Sequence, residues 1–177
     1  MFSYLPAHCL TNLMSSLISR TRRNHGLEHA TLNLLAKTHP RKPFAGHSDA
    51  GGFWILGEIP TAELSQTISD ALEKLKSGQS NLAIHQNCGT NLLVSGFAAG
   101  LAGAVGLLGV GERTRDKLER IPVITALSVL ALIISKPLGP IMQKKLTTSG
   151  EPGSLKIVSI VKHTLNGFPA HRIKTQD

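Results

Sequence analysis

Residues 92–111, LLVSGFAAGLAGAVGLLGVG, decide the architecture, because twenty consecutive positions carry no charge. A helix of about 20 apolar residues is long enough to cross the hydrocarbon core of a bilayer. Each of its several glycines would cost a soluble helix about 1 kcal/mol relative to alanine. The stretch therefore predicts a membrane span. Gly96 and Gly100 have the spacing that lets a partner helix, or a second copy of the chain, approach closely.

A second apolar stretch, residues 121–142, follows a short charged loop and is interrupted by Lys136, Pro137 and Pro140. We interpret it as a second span, with Lys136 reaching the membrane interface along its aliphatic stem. Residues 91–143 would then form a transmembrane helical hairpin. The alternative is a buried helix pair inside a globular α/β domain.

The composition excludes several classes of protein. With 177 residues, 41% of them hydrophobic and 17% charged, the chain has room for one small domain plus an anchor and is not a disordered polymer. Its 19 Lys+Arg exceed its 11 Asp+Glu, which favours anionic partners. Aromatic residues make up only 4%, too few for a nucleic-acid stacking platform, so we expect a lipid bilayer with an anionic phospholipid surface and no nucleic acid.

Residues 1–23 are predicted to form an amphipathic helix. It lies either on an anionic membrane surface or, equally well, on the protein's own core. Asn24 is predicted to cap a separate helix that runs to Thr38, before Pro40. The apolar positions of the first helix recur at helical spacing and precede three arginines: Leu10, Leu13, Met14, Leu17, Ile18, then Arg20, Arg22 and Arg23.

Residues 24–90 are predicted to form a compact α/β unit. Two short strands flank Gly51-Gly52, and a helix with one apolar stripe begins at Thr61 and ends at Gly78. Residues 82–85 are predicted to add another short strand. The stripe of that helix consists of Leu64, Ile68, Ala71, Leu72 and Leu75.

Residues 154–177 are predicted to form a C-terminal β-hairpin, because Asn166-Gly167 is a strong signal for a two-residue turn. We expect its strands to join the sheet of the 24–90 unit. The predicted fold class is therefore α+β: a small soluble α/β domain with a mixed or antiparallel sheet, plus an inserted two-helix transmembrane hairpin.

The most informative motif for chemistry is His25-Gly26-Leu27-Glu28-His29. Two imidazoles at i and i+4 lie on one helix face, one turn apart, and can share a Zn²⁺ ion. Glu28 lies beside that face, where its carboxylate can take a proton from water as a general base. The alternative without a metal is a histidine pair that bridges to the sheet or pairs with Glu28.

Further ligands are needed to complete a zinc site, and His85-Gln86-Asn87-Cys88 offers an imidazole and a thiol. Cys88 is the preferred third ligand, although it could equally be a small buried residue at the start of the span. His85 is the next candidate. His47 and Asp49, before Gly51-Gly52, are weaker ones.

The His-x-x-Glu-His pentapeptide resembles the inverted zinc motif of the inverzincins, the pitrilysin-like metallopeptidases. The resemblance implies His25 and His29 as ligands and Glu28 as the base, and it covers about residues 24–77. Those enzymes take a third ligand from a downstream Glu, and here the corresponding region is the uncharged span.

Three segments taken together, HGLEHA, GGFW and NCGTN, resemble an uncharacterised family of bacterial membrane proteins that contain a domain of unknown function. This resemblance covers most of the chain and implies no activity. It implies an integral membrane protein of the bacterial inner membrane, and we expect the soluble part in the cytoplasm.

Two functions remain open at the level of sequence. One is a membrane-anchored zinc-dependent hydrolase, a peptidase in the preferred form. The other is a non-catalytic membrane scaffold or assembly factor in which the same residues form a structural metal site or a polar cluster.

Overall fold

The computed structural model describes residues 7–177, with side chains from Met14 onward, so Leu10 and Leu13 of the predicted amphipathic face lie outside the described side chains. The chain divides into two units. The first comprises Met1–His85 and Lys144–Asp177, and the second comprises Gln86–Gln143. The second unit is thus an insertion in the sequence of the first.

One continuous helix, α1, spans Ala7–Thr38, so the predicted boundary between two helices at Asn24 is wrong. The side chain of Asn24 is fully buried and does not cap a helix. Its amide donates to the carbonyl oxygen of Asp49 (2.8 Å) and its oxygen accepts from the Thr175 hydroxyl (2.7 Å). Because long-range partners satisfy this polar side chain, the helix continues through it.

The four strands form one antiparallel sheet, so the α+β class is confirmed. Strands β1 (Ala45–Asp49) and β2 (Gly52–Leu56) form the first hairpin, as predicted. Strands β3 (Lys156–Leu165) and β4 (Phe168–Gln176) form the second. The order β1-β2-β4-β3 pairs β4 with β2, which confirms that the C-terminal strands join the same sheet.

Helix α2, Thr61–Lys76, buries the predicted apolar stripe. It packs with α1 against the sheet and closes the hydrophobic core. The core contains residues from α1, β2, α2 and β4, among them Leu27, Leu35, Phe53, Ile55, Leu64, Ile68 and Ile173.

The strand predicted at residues 82–85 is wrong, because a short 3₁₀ helix, Ser80–Ala83, occupies this region. The carbonyl groups of Leu82 and Ile84 accept hydrogen bonds from the side-chain amide of Asn33 (2.9 and 2.8 Å). A side chain on α1 thus satisfies this backbone, which needs no strand partner.

The second unit is helical, with α3 (Gly89–Gly106), α4 (Thr114–Glu119), α5 (Ile121–Ser135) and α6 (Leu138–Met142). Helices α3 and α5 pack on each other. The hydroxyl of Ser135 donates to that of Ser95 (3.2 Å), and the hydroxyl of Ser128 donates to the carbonyl of Ala99 (3.2 Å).

Helix α3 is long and apolar enough to span a membrane and is the one unbroken helix of this kind among residues 7–177. Residues Ile121–Ser135 and Leu138–Thr147 would make a second span only if they act together across a 52° bend. Many large apolar side chains of this unit are exposed, for example Leu92, Leu93, Phe97, Leu108 and Ile134.

Candidate metal centre

The histidine pair of α1 lies in the interior of the first unit. His29 is buried with 1% exposure, and His25 is half-buried. The two ring centroids are 4.2 Å apart, and one ring nitrogen of each lies within 4.8 Å of the other. The i, i+4 spacing therefore brings the two imidazoles close enough to share one ion.

The backbone fixes the tautomer of both rings. Nδ1 of His29 lies 2.8 Å from the carbonyl oxygen of Ala83, and Nδ1 of His25 lies 2.9 Å from that of Thr147. A carbonyl oxygen only accepts, so each Nδ1 carries a proton, and in the neutral form of each ring Nε2 then carries the lone pair. Histidines that ligate metals typically donate their other ring N–H to an oxygen in this way.

His85 extends the pair to a row of three rings, because its centroid lies 5.6 Å from that of His29. Its Nδ1 lies 2.9 Å from the side-chain oxygen of Asn33. Since the Asn33 amide nitrogen donates to two backbone carbonyls, its oxygen is an acceptor and Nδ1 of His85 is the donor. The same tautomer thus occurs in all three rings.

Asn33 is the polar residue of this cluster that sequence reasoning missed. It lies four residues after His29 and eight after His25 on the same helix. A polar side chain at this spacing continues the face that carries the two imidazoles. That spacing is the signal that could have identified it.

Glu28 is 3% exposed and lies against β1. Its carboxylate accepts a short hydrogen bond from the Ser48 hydroxyl. Gly46 makes room for it, because a Cβ at that position would overlap the Glu28 side chain. The Glu28 carboxylate is thus fixed by a hydrogen bond from β1. The role of Glu28 as a catalytic base stays a prediction.

Gly26 allows the segment after Lys145 to approach α1. A Cβ at Gly26 would overlap the carbonyl oxygen of Ser149, whose backbone N–H donates to the carbonyl of Arg22 (2.8 Å). This close contact places Thr147 beside His25. The glycine inside the motif therefore helps to orient the first imidazole.

Cys88 lies in the second unit, where it is buried and precedes α3. Its Sγ accepts from the backbone N–H of Thr90 at 3.4 Å, so it caps this helix. Its role as a third metal ligand stays a prediction.

The weaker candidates His47 and Asp49 lie on the sheet face that carries Trp54. The Asp49 carboxylate accepts from Arg172 Nη2 (2.8 Å) and from the Gly51 N–H (2.7 Å). Burial alone would raise the pKa of Asp49. The hydrogen bond and charge of Arg172, with the Gly51 N–H, outweigh burial and hold this pKa below its ordinary value. Asp49 thus has a structural partner.

The chemistry of this centre suits a divalent transition metal. Neutral imidazoles with Nε2 lone pairs are zinc ligands, and zinc sites commonly take three or four nitrogen or sulfur donors. The first unit supplies His25 and His29, with His85 next in the row. Oriented Nδ1–H groups are typical of histidines that ligate a metal, and the same bonds satisfy a buried histidine pair without one, so metal binding stays a prediction.

The fold and this cluster define an α+β protein with a histidine-rich centre and an inserted apolar helical unit. The chain belongs to the family described as a domain of unknown function (DUF6391), which matches residues 20–160. It is similar to an uncharacterized protein of Picosynechococcus sp., with 33% identity over 169 residues that cover 88% of this chain and 80% of the relative. No solved structure matches the chain.

Proposed function

We propose that this protein is a membrane-anchored zinc-dependent hydrolase whose substrate bond is a peptide bond. The observation that carries the proposal is the shared tautomer of His25 and His29, whose Nδ1–H groups are tied to backbone carbonyls. This arrangement orients two Nε2 lone pairs from neighbouring turns of one helix.

The remaining ligands in this proposal are Cys88 and His85. His85 is supported by its place beside His29 and by the fixed orientation of its ring through Asn33. Cys88 is supported by its position three residues after His85, and a thiolate is a common zinc ligand. Either donor gives a chemically ordinary zinc set.

Glu28 is the proposed general base. Its carboxylate takes a proton from the attacking water, whose oxygen bonds to the carbonyl carbon of the substrate. The same carboxyl group then gives this proton to the leaving nitrogen as the C–N bond breaks, so that the products are a carboxylic acid and an amine. Ser48 holds the carboxylate in place by donating to it. A bound zinc ion would supply the Lewis acid that polarises the carbonyl and acidifies the water.

The anchor in this proposal is the helical hairpin of the second unit. It is supported by the long apolar helix α3 and by the many exposed large apolar side chains along α3 and α5. We assign the first unit to the cytoplasmic side of a bacterial inner membrane, in contact with anionic lipids. Alkaline carbonate extraction tests the anchor: the chain should stay in the membrane pellet, and release into the supernatant would exclude it.

The metal is tested by measuring zinc content in purified protein. We expect about one zinc per chain, and His29→Ala should reduce this at least about tenfold because a buried ligand is lost. His163→Ala is the matched control, since this exposed histidine lies on β3 and is not a candidate ligand. Equal zinc content in all three proteins would refute the site.

Catalysis is tested with Glu28→Gln in a peptide-library digestion read by mass spectrometry. The variant should retain its zinc and lose about 10²- to 10⁴-fold in cleavage rate, the usual contribution of a general base. Cleavage at the wild-type rate by this variant would end the hydrolase proposal.

The second candidate is a non-catalytic scaffold or assembly factor with a structural metal site. The specific observation in its favour is that Glu28 is buried and already accepts a hydrogen bond from Ser48. A structural carboxylate has this environment. In that case Glu28→Gln would lower stability and leave no cleavage activity to lose.

A further inference from the structure

A cleft in the first unit lies beside the histidine cluster and has no role in the proposed hydrolysis. It has a volume of about 290 Å³ and lies between α1, the 3₁₀ helix and the segment that follows Lys144. Its wall contains both polar and apolar groups, and the polar ones include Arg22, Ser80, Asn81, Lys144, Ser149 and Glu151.

The Arg22 side chain is held in one orientation, but only some of its N–H groups have a hydrogen-bond acceptor. Its Nη2 donates to the carbonyl oxygens of Lys145 (3.0 Å) and Thr148 (3.1 Å). Its Nε is buried and has no hydrogen-bond partner, and no residue from 14 to 177 provides an acceptor for Nη1. A guanidinium group carries five N–H donors, so this cation retains capacity for an anionic ligand.

The charge of the cleft is positive. Arg22 and Lys144 outnumber Glu151, and neither cation is within salt-bridge distance of a carboxylate in the described part of the chain. Ser80 and Asn81 add neutral donors. A planar guanidinium, a point-charge ammonium and hydroxyl groups together match the oxygens of a phosphate group.

We propose that this cleft binds the phosphate group of a phosphomonoester. Two sources share this chemistry: a soluble phosphorylated molecule and the headgroup of an anionic phospholipid. Lys144 is the first residue after the second unit, whose apolar helices are the proposed anchor. The inference does not require the hydrolase proposal to be correct.

The site would also be coupled to the histidines through shared backbone. Ala83 lines the cleft and accepts the Nδ1–H of His29. Thr148 lines it too, and its neighbour Thr147 accepts the Nδ1–H of His25. A phosphate bound here would therefore contact the segments that orient both rings.

The test uses the full chain in detergent, titrated with inorganic phosphate, and the same chain mixed with vesicles of phosphatidylcholine alone or with added phosphatidic acid. Saturable binding of phosphate supports a soluble ligand. Preference for the phosphatidic acid vesicles without binding of free phosphate supports a lipid headgroup. Neither response at physiological ionic strength overturns the proposal.

Variants locate the binding to the cleft. Lys144→Gln should weaken binding at least about fivefold, because it removes one of two cations without breaking a structural hydrogen bond. Lys145→Gln is the matched control, since this adjacent exposed lysine does not line the cleft. Equal losses in both variants would mean general charge attraction and would refute the site. Zinc content and peptide cleavage are measured separately, so the two proposals can fail independently.

Discussion

At the scale of single residues, the interior of the first unit depends on polar side chains that have specific partners. Asn24 is fully buried and connects α1 to β1 and β4 through two short hydrogen bonds. Removing the Asn24 side chain would lower the stability of the fold, since its partners would stay buried without a hydrogen bond.

We predict that Asn24→Ala lowers the free energy of unfolding by about 1–3 kcal/mol, because the Asp49 carbonyl and the Thr175 hydroxyl lose their partner. Urea denaturation measures this change. Asn87→Ala, at an exposed asparagine, is the control and should be close to neutral. If both substitutions have the same effect, the hydrogen bonds of Asn24 do not contribute.

A second prediction concerns His171, which is fully buried and has an Nδ1 without a hydrogen-bond partner among the described residues. Burial lowers its pKa, and the charge of Lys162 lowers it further, while that of Glu58 acts in the opposite direction. Because the unfolded state then binds more protons, stability should fall as the pH drops below about 6.5.

This pH dependence is measured by urea denaturation at about pH 7.5 and about pH 5.5. His171→Gln should show a smaller loss of stability at the lower pH than the wild type. His163→Gln removes only one of the charges that lower the pKa of His171, so its pH dependence should change less than that of His171→Gln. An unchanged slope in His171→Gln would contradict the assignment.

At the scale of elements, both hairpins follow from turn chemistry. Asn166 and Gly167 have positive φ angles of 50° and 84°, the conformation that a two-residue turn between twisted strands requires. Only glycine adopts such angles without strain, although asparagine tolerates them well.

We therefore expect Gly167→Val to destabilise the first unit by about 1–2 kcal/mol, the cost of placing a Cβ in the left-handed region. Asn166→Gly should be nearly neutral, since it relieves the same constraint. Thermal unfolding followed by circular dichroism compares the two. A neutral Gly167→Val would show that the turn has another conformation.

Local patterns predicted the elements whose cause is local: α2 through its apolar stripe and both hairpins through their turns. The boundary at Asn24 and the strand at residues 82–85 were wrong because distant partners decide both. Asn24 bonds to strands far away in sequence, and Asn33 satisfies the backbone that a strand would otherwise have paired.

In the candidate site, too, the local sequence pattern predicted one part of the geometry, and residues distant in sequence decide the other part. The spacing of His25 and His29 predicted that their rings lie together. The carbonyls that fix their tautomers come from Ala83 and Thr147, at positions that only the folded chain brings to α1. No pattern in the sequence contains that information.

At the scale of the whole molecule, the glycines of α3 divide into two groups. Gly103 and Gly106 face α5, where a Cβ at Gly106 would lie 2.9 Å from Ile124. Gly96 and Gly100 face open space. This leaves the second pair accessible, and the packing of a partner helix or a second copy against it stays a prediction.

We predict that Gly100→Leu weakens self-association in detergent at least about tenfold, because a large side chain blocks close helix approach. Gly106→Leu is the contrasting variant and should instead disturb the packing of α3 on α5. Chemical cross-linking and light scattering report the oligomer, and circular dichroism reports the fold. A monomeric wild-type chain would exclude this interface.

The pairing of β2 with β4 has a consequence for biosynthesis. Residues 52–56 leave the ribosome long before residues 168–176, so the edge of β2 stays uncovered while the whole helical insertion is being translated. The apolar helices are therefore synthesised before the sheet that flanks them in sequence is complete. A delay while those helices are being synthesised would keep the unpaired edge of β2 exposed for longer. Such an edge can pair with other chains and aggregate.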